Sequence, residues 1–271
     1  MKRTPNILRA CVIAALVATP SRTQTLVGTP AILPTAAGRS TLVPFAIAAT
    51  PALLRKEDSS SVAGWVVPSR WGLAELRTMH ALVHLRSDRW SSAVAIASLT
   101  MERYTELAAS GLCAIELTDR LALGITFEYT FARARGFAAE HAIAVNAHAL
   151  FVLDSATTIA IAATNLAQMR RAGSQSGSNA RLRIGIGRTL GSDVAFDADV
   201  VVPIGSAVSL TTAVRWDAFE WLGFRIAYAT VPQTADLSLR LLAFDPIAVL
   251  ATLQYHTALG IGPTVGVQYR W

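Results

Sequence analysis

A two-residue alternation of large apolar with small or polar side chains, running from about residue 75 to the C-terminus, constrains this chain most. Residues 121–131 read LALGITFEYTF, residues 222–228 read LGFRIAY and residues 264–271 read TVGVQYRW. A period of two indicates β-strands with two unlike faces. The alternating runs extend over about 9–14 residues, longer than the usual 5–6 of a soluble sandwich, and they suit tilted strands that cross a bilayer.

Composition supports the same conclusion. The 271 residues are 52% hydrophobic and only 15% charged, whereas ordinary soluble domains are about 25% charged. The longest apolar stretches, at 10–21 and 142–153, fall short of the roughly 18 residues that a spanning helix requires. High apolar content also excludes intrinsic disorder. The sequence therefore predicts an all-β, transmembrane, antiparallel up-and-down barrel.

The first 24 residues are predicted to be a signal peptide. Lys2, Arg3 and Arg9 precede an apolar core over 10–18, which is the charge pattern of secretory signals. Without this segment the chain keeps 20 basic against 18 acidic residues, so we expect no nucleic-acid partner.

Residues 25–61 differ from the rest of the chain in composition. Four prolines between residues 30 and 51 disfavour a regular helix or a central strand. We expect an extended arm, either in the periplasm or folded into the lumen as a plug, followed by a barrel over 62–271. If Trp271 lies at the periplasmic rim, the alternating strand directions lead back to a strand near Thr78. Because such barrels have an even number of strands, the count is fourteen, or twelve if the segment near Thr78 does not join the sheet.

The predicted connections fall into two alternating sets. Acidic turns are expected at 87–89, 118–120, 154–155, 192–193, 217 and 245–246. Connections that are longer on average are expected at 101–105, 133–140, 168–179, 203–206, 232–236 and 257–262. Short turns on one rim and longer loops on the other are typical of outer-membrane barrels. The Ala-rich stretch 141–169 also permits a helical hairpin, although its β-branched residues favour two strands.

The C-terminal residues Val267, Tyr269 and Trp271 resemble the signal that the bacterial barrel assembly machinery reads. The chain further resembles the long-chain fatty acid transporter superfamily, and within it the type IX secretion shuttle-like branch, through Pro68, the 72–74 Gly-Leu-Ala element and the Leu259-Gly260 step before the last strand. This resemblance implies fourteen strands, an N-terminal segment in the lumen and a place in the outer membrane of a Gram-negative cell.

Strand parity directs a set of polar side chains into the lumen as candidate ligand-binding or lumen-lining residues. They are Glu128, Arg181, Arg183, Asp197, Asp199, Arg225, Arg240, Gln254, His256 and Arg270. Opposite charges that face each other across a narrow lumen are expected to form ion pairs with one another. Alternatively, Arg225 or Arg270 could hold the carboxylate of an amphipathic ligand, since arginine grips carboxylates in a bidentate manner.

Other chemistries are not expected. His80 and His84 are four positions apart on one strand, about 13 Å, too far to share a metal ion. His141 near the 174–178 serines has no triad spacing, so we expect neither an enzyme nor a cofactor. Two functions remain open: passive uptake of small hydrophobic or amphipathic compounds, or a non-transporting barrel that docks a secreted or periplasmic protein. The expected partners are outer-membrane lipid, the assembly machinery and a hydrophobic ligand.

Overall fold

The chain forms a closed antiparallel barrel, seen here in a computed structural model that describes residues 33–40, 50–56, 58–171, 180–204 and 207–271. Within these ranges fourteen strands follow one another around the wall, and β1 pairs with both β2 and β14 to close it. The predicted fold class and the fourteen-strand count are confirmed. The predicted signal peptide, the arm segments 25–32 and 41–49, and the Gly173–Gly177 tract lie outside the described residues.

The strands are β1 Ser61–Val67, β2 Thr78–Arg86, β3 Trp90–Met101, β4 Tyr104–Thr118, β5 Leu121–Ala134, β6 Glu140–Val152, β7 Thr157–Arg171, β8 Arg181–Leu190, β9 Val194–Pro203, β10 Ser209–Phe219, β11 Leu222–Thr230, β12 Gln233–Phe244, β13 Ile247–His256 and β14 Gly260–Arg270. Two short 3₁₀ helices cover Pro51–Lys56 and Ala74–Leu76. In the described ranges no helix has the length and apolar character needed to span a membrane.

The two faces of the wall differ as the alternation predicts. Ile226 in the middle of β11 is 61% exposed on the outer surface, whereas its neighbour Ala227 is 2% exposed on the inner surface. The outer surface carries large apolar side chains on every strand, an arrangement typical of the lipid-facing surface of outer-membrane barrels. The inner surface carries Thr, Ser, Ala and charged residues.

The two rims also differ. One rim, called the turn rim below, has connections of two to four residues at 87–89, 119–120, 153–156, 191–193, 220–221 and 245–246. The opposite rim, called the loop rim, includes the longer connections 68–77 and 135–139. Trp271 donates its backbone N–H to Ser60 O (3.0 Å) at the turn rim, so the C-terminus and the start of β1 lie there together.

Several predicted boundaries are wrong. Asp217 lies inside β10, because a bulge between Asp217 and Phe219 prolongs the pairing with β11. Asp236 lies inside β12 opposite Ala227, so the connection before it shrinks to residues 231–232. The stretch 141–169 belongs to β6 and β7, which excludes the helical hairpin.

Candidate functional site: the lumenal segment and its wall

Residues 33–40 and 50–56, called the lumenal segment below, lie inside the barrel. Thr35, Ala36, Ala37 and Ser40 are completely buried, although this stretch contains no helix or strand between residues 33 and 40. Buried backbone groups must find hydrogen-bond partners. Residues 33–40 form no helix or strand of their own, and side chains of the barrel wall supply hydrogen-bond partners for several of their backbone groups.

Asp197 on β9 binds the end of the first stretch. Its carboxylate accepts hydrogen bonds from the backbone N–H groups of Arg39 (3.0 Å) and Ser40 (2.7 Å). The same carboxylate accepts from the hydroxyls of Thr35 (2.8 Å) and Ser40 (2.5 Å). Such bonds to a buried charge are about twice as strong as neutral ones. Asp197 is therefore the main acceptor for this part of the segment.

Two further wall groups hold the beginning of the stretch. Asp199 accepts from the backbone N–H of Ala36 (2.8 Å) and faces Arg183 at 3.8 Å. Arg183 also donates to the carbonyl oxygen of Pro34. Proline has no N–H to offer, so its carbonyl is the group that the wall must satisfy at this position.

Arg225 and Asp236 bind the two backbone polar groups of Leu33. Asp236 Oδ2 accepts from Leu33 N (2.6 Å), and Arg225 Nη2 donates to Leu33 O (2.6 Å). The two side chains also pair with each other at 2.8 Å, with no exposure of either. Both terminal nitrogens of Arg225 are thereby engaged, so Arg225 holds the lumenal segment and offers no vacant nitrogen of this kind to a ligand.

His148 on β6 joins the two stretches of the segment. Its Nδ1 accepts from the backbone N–H of Ala52 (3.2 Å), and its Nε2 lies 3.0 Å from the carbonyl oxygen of Ala36. An acceptor at Nδ1 and a donor at Nε2 define the neutral tautomer protonated at Nε2. His148 thus fixes the distance between the two stretches of the lumenal segment.

Three inward glycines make room for the segment. A Cβ at Gly124 would overlap the backbone of Ala52, and Cβ atoms at Gly185 and Gly187 would overlap the carboxylates of Asp199 and Asp197. These strand positions are glycine because the segment or its carboxylate anchors occupy the space of a side chain. The alternation in the sequence does not single these glycines out as part of the site, although inward glycines in otherwise regular strands are the available signal.

Arg55 fastens the second stretch to the turn rim. Its guanidinium donates to the carbonyls of Ser87 (2.9 Å), Asp88 (2.7 Å) and Trp90 (3.2 Å). It also pairs with Glu116 at 2.7 Å. The 3₁₀ helix over Pro51–Lys56 is consequently fixed to β3 and β4 beside the start of β1.

The remaining predicted residues are spread around the wall. Arg240 shares Asp217 with Arg215, at 3.3 Å and 3.0 Å. His256 meets Trp71 edge-on at 6.5 Å between ring centroids. The described hydrogen bonds and ion pairs of residues 33–40 and 50–56 are made with other wall residues than Glu128, Arg181, Gln254, His256 and Arg270. On the outer face, the side chains of Val267, Tyr269 and Trp271 are exposed, and the last two stack at 6.0 Å.

The 68–77 connection folds into the loop-rim mouth. Arg70 is buried and lies over the ring of Trp71 at 5.6 Å. Burial lowers the pKa of Arg70 to about 10, and the nearby Glu106 carboxylate acts in the opposite direction. Glu106 also accepts from the Tyr104 hydroxyl at 2.9 Å. Both the lumen and this mouth are therefore narrowed by the chain itself.

Side chains that commonly bind metal ions lie apart from one another in the part of the chain that the structure describes. No three His, Cys, Asp or Glu side chains there are grouped to hold an ion. What the described arrangement does is hold the lumenal segment against the inner surface of the wall.

Comparison with known proteins shows the fold alone. No family model and no curated protein matches the chain. Among solved structures, the P. putida toluene transporter TodX has a TM-score of 0.55 at 9% identity, covering 82% of this chain and 92% of that one. A Pseudomonas aeruginosa FadL homologue has a TM-score of 0.54 at 9% identity, covering 90% and 99%. Acinetobacter baumannii Omp33 has a TM-score of 0.54 at 11% identity, covering 79% and 98%.

The fold is thus that of outer-membrane β-barrels. The similarity to a FadL homologue agrees with the broad superfamily resemblance of the sequence, at the level of the fold. The finer resemblance, to the type IX secretion shuttle-like branch, stays a prediction.

Proposed function

We propose that this protein is a plugged outer-membrane barrel that takes up small hydrophobic or amphipathic compounds and has no enzymatic activity. In this proposal the turn rim faces the periplasm, as short turns do in such barrels. Val267, Tyr269 and Trp271 serve as the signal for the assembly machinery. The lumenal segment is the plug, and uptake requires that it leave its place.

One observation carries the proposal: the carboxylate of Asp197 is the acceptor for four hydrogen bonds from three residues of the lumenal segment. The segment also packs Ala36, Ala37, Ala52 and Leu53 against apolar residues of the wall, so its release would exchange the polar bonds for bonds to water and would expose this small apolar cluster. By contrast, a segment packed only by large apolar side chains would lose its burial energy in one step.

The solved structures of similar fold favour transport over docking. One of them is a toluene transporter and another is a FadL homologue. Two of the described connections of the loop rim, 102–103 and 231–232, have only two residues each, and of the longer ones 68–77 folds into the mouth of the barrel. A docking barrel needs enough surface for a standard protein interface, roughly 800 Å² per partner, and short connections provide little of it.

Uptake into proteoliposomes tests the proposal. We expect measurable entry of toluene or octanoate with the wild type, and faster entry with Asp197→Ala, which removes the main acceptor of the segment. Asp193→Ala is the matched control, since Asp193 is an exposed carboxylate at the turn rim beside the same strand, and it should behave as wild type.

The docking alternative has its own outcome in this experiment. Entry no faster than in protein-free liposomes for wild type and Asp197→Ala alike would contradict the transport proposal. A defined secreted or periplasmic protein that then co-purifies with the barrel in stoichiometric amount would support docking instead.

A further inference from the structure

Three arginines lie together at one place on the loop rim. Arg103 is in the connection between β3 and β4, Arg133 is near the end of β5, and Arg135 follows that strand. All three are exposed. The backbone N–H of Arg135 donates to the carbonyl oxygen of Arg103 (2.8 Å), which joins the two neighbouring connections. These arginines and His141 at the start of β6 are called the basic corner below.

Aromatic side chains lie directly below the basic corner on the outer face. His141 is opposite Phe131, with 5.3 Å between the ring centroids, and the Tyr129 hydroxyl lies 2.7 Å from His141 Nδ1. Aromatic residues on the outer face of a barrel mark the level of the lipid headgroups. Arg133 is two residues beyond Phe131, about 7 Å at roughly 3.3 Å per residue. The basic corner therefore lies at the headgroup level of the bilayer.

The positive charge of the basic corner is not neutralised by the protein. Among the described residues, no carboxylate forms an ion pair with any of its three arginines. The acidic residues nearby in sequence are Glu102 and Glu140, both exposed. Glu140 is opposite Ala132, and so belongs to the inward-facing series of the wall. The outer side of this corner thus carries an excess of positive charge.

The opposite side of the loop rim carries no charge. The connections 204–208, 231–232 and 257–259 contain neither acidic nor basic residues. Large apolar side chains are exposed there instead, namely Ile204, Val231 and Leu259. Charges that served only to hydrate the rim would be needed on both sides. Their concentration beside the aromatic group of β5 and β6 points to an anionic ligand at that place.

The surface below the basic corner indicates that this ligand is a lipid. Leu107 is opposite Phe131, and Ile143 is opposite Tyr129. Both aliphatic side chains are exposed on the outer face, Leu107 to 39% and Ile143 to 49%. A free phosphate ion would use the arginines and leave these apolar side chains uncovered, whereas the acyl chains of a lipid would cover them.

We propose that the basic corner binds the phosphate groups of lipopolysaccharide, the phosphorylated sugar lipid of the outer leaflet, with its acyl chains against Leu107 and Ile143. The arginine fork matches phosphate oxygens in a bidentate manner. A Tyr129 hydroxyl that donates to His141 Nδ1 leaves the proton on Nε2, which then serves as a further donor. The proposal rests on the proposed function for the orientation that puts the loop rim outside the cell.

Titration of the full mature protein in detergent micelles with diphosphoryl lipid A, followed by native mass spectrometry, tests the site. We expect Arg133→Gln and Arg135→Gln each to weaken binding about fivefold, the usual effect of one basic residue at a lipid surface. The double variant should lose roughly the product of the two factors. Arg188→Gln is the matched control and should bind as wild type, since Arg188 is exposed at the turn rim, opposite Phe196.

Other lipids and salt separate a phosphate site from general attraction. Monophosphoryl lipid A should bind more weakly than the diphosphoryl form, phosphatidylglycerol more weakly still, and high salt should weaken all three, since exposed charges are screened. Phosphatidylglycerol binding as tight as that of diphosphoryl lipid A would overturn the proposal. So would wild-type binding by the double variant, once heat-modifiable migration shows it to be folded, or an equal loss in Arg188→Gln.

The outcome for this site is separable from the outcome for transport. Arginine-dependent binding of lipid A by a protein that shows no toluene or octanoate uptake would support the site and contradict the proposed transport function. Uptake by a protein whose lipid A binding is unchanged in the double variant would support transport and overturn the site.

Discussion

Arg225 and Asp236 form a 2.8 Å ion pair with no solvent exposure, and together they bind both backbone groups of a single residue, Leu33. The pair is diagonal across β11 and β12, because Arg225 is opposite Ser238 and Asp236 is opposite Ala227. A buried ion pair needs further hydrogen bonds to offset its desolvation. Leu33 supplies them, which makes the segment part of the electrostatic balance of the wall.

Removing one member of this pair should destabilise the barrel strongly. We expect Arg225→Met to lower the free energy of unfolding by about 3–5 kcal/mol, because it leaves Asp236 charged and unpaired in the lumen. Urea unfolding in lipid vesicles measures this value. Arg188→Met, at an exposed position, should stay within about 0.5 kcal/mol of wild type.

The double variant Arg225→Met with Asp236→Leu distinguishes the stability of the barrel wall from the attachment of the lumenal segment. We expect it to recover most of the unfolding free energy, since replacing a buried pair by apolar residues is often neutral. It should nevertheless exchange the Leu33 amide faster, because both partners of Leu33 are lost. If the double variant is as unstable as Arg225→Met, the loss of unfolding free energy in Arg225→Met does not come from an unpaired Asp236.

A methyl group at Gly124 should displace the second stretch of the lumenal segment. Gly124→Ala would place its Cβ 2.8 Å from the carbonyl carbon of Pro51 and in overlap with Ala52. We expect a higher ion conductance in planar bilayers. Gly111→Ala is the control, because Gly111 faces outward and its Cβ would meet nothing within 4 Å. Equal conductance of the two variants would contradict the close approach of the Pro51–Ala52 backbone to Gly124.

The turn between β6 and β7 should depend on pH through Asp154. Hydrogen bonds from the backbone N–H groups of Ala156 and Thr157 lower the pKa of Asp154. A lowered folded-state pKa stabilises the fold above the unfolded value of about 3.9, and this contribution disappears as the pH falls through the folded value. The destabilisation by Asp154→Ala should therefore be larger at pH 7 than at pH 2, as unfolding titrations at the two pH values would reveal.

The free-energy cost of placing a charge on the outer surface should depend on how deep the residue lies in the bilayer. Ile226→Arg, at 61% exposure in the middle of β11, should cost about 2–4 kcal/mol in lipid vesicles. Phe244→Arg, at the turn-rim end of β12 and 78% exposed, should cost about 0–1 kcal/mol. Similar costs at the two sites would contradict the position of the bilayer implied by the apolar outer surface.

The wall of this barrel was largely predictable from local sequence. Parity alone put Asp197, Asp199 and Arg225 on the inner face, because a strand alternates its side chains whatever its partners are. The sequence predicts a connection over 232–236, which places Asp236 in a loop. The pairing of Gln233 with Thr230 restarts the strand directly after the proline, which no local rule specifies.

The contacts of the lumenal segment were not predictable in the same way. Ser40 and Asp197 are 157 positions apart, and no periodic pattern links an extended stretch to particular strands. The sequence predicts Arg225 as a site for a ligand carboxylate and Arg183 as a lumen-lining residue, yet the two side chains bind the backbone carbonyls of residues 33 and 34. An extended segment and a ligand present similar oxygen atoms, so the sequence did not distinguish them.

Single-channel conductance of the intact mature chain, compared with a variant lacking residues 25–56, tests the central claim that the lumenal segment closes the barrel. A fourteen-stranded wall has a lumen between the filled eight-stranded type and the open sixteen-stranded porins. We expect low conductance for the intact protein and a clear increase for the deletion, with both proteins shown to be folded by heat-modifiable migration. A large, steady conductance of the intact protein, or no increase in the folded deletion variant, would contradict the account.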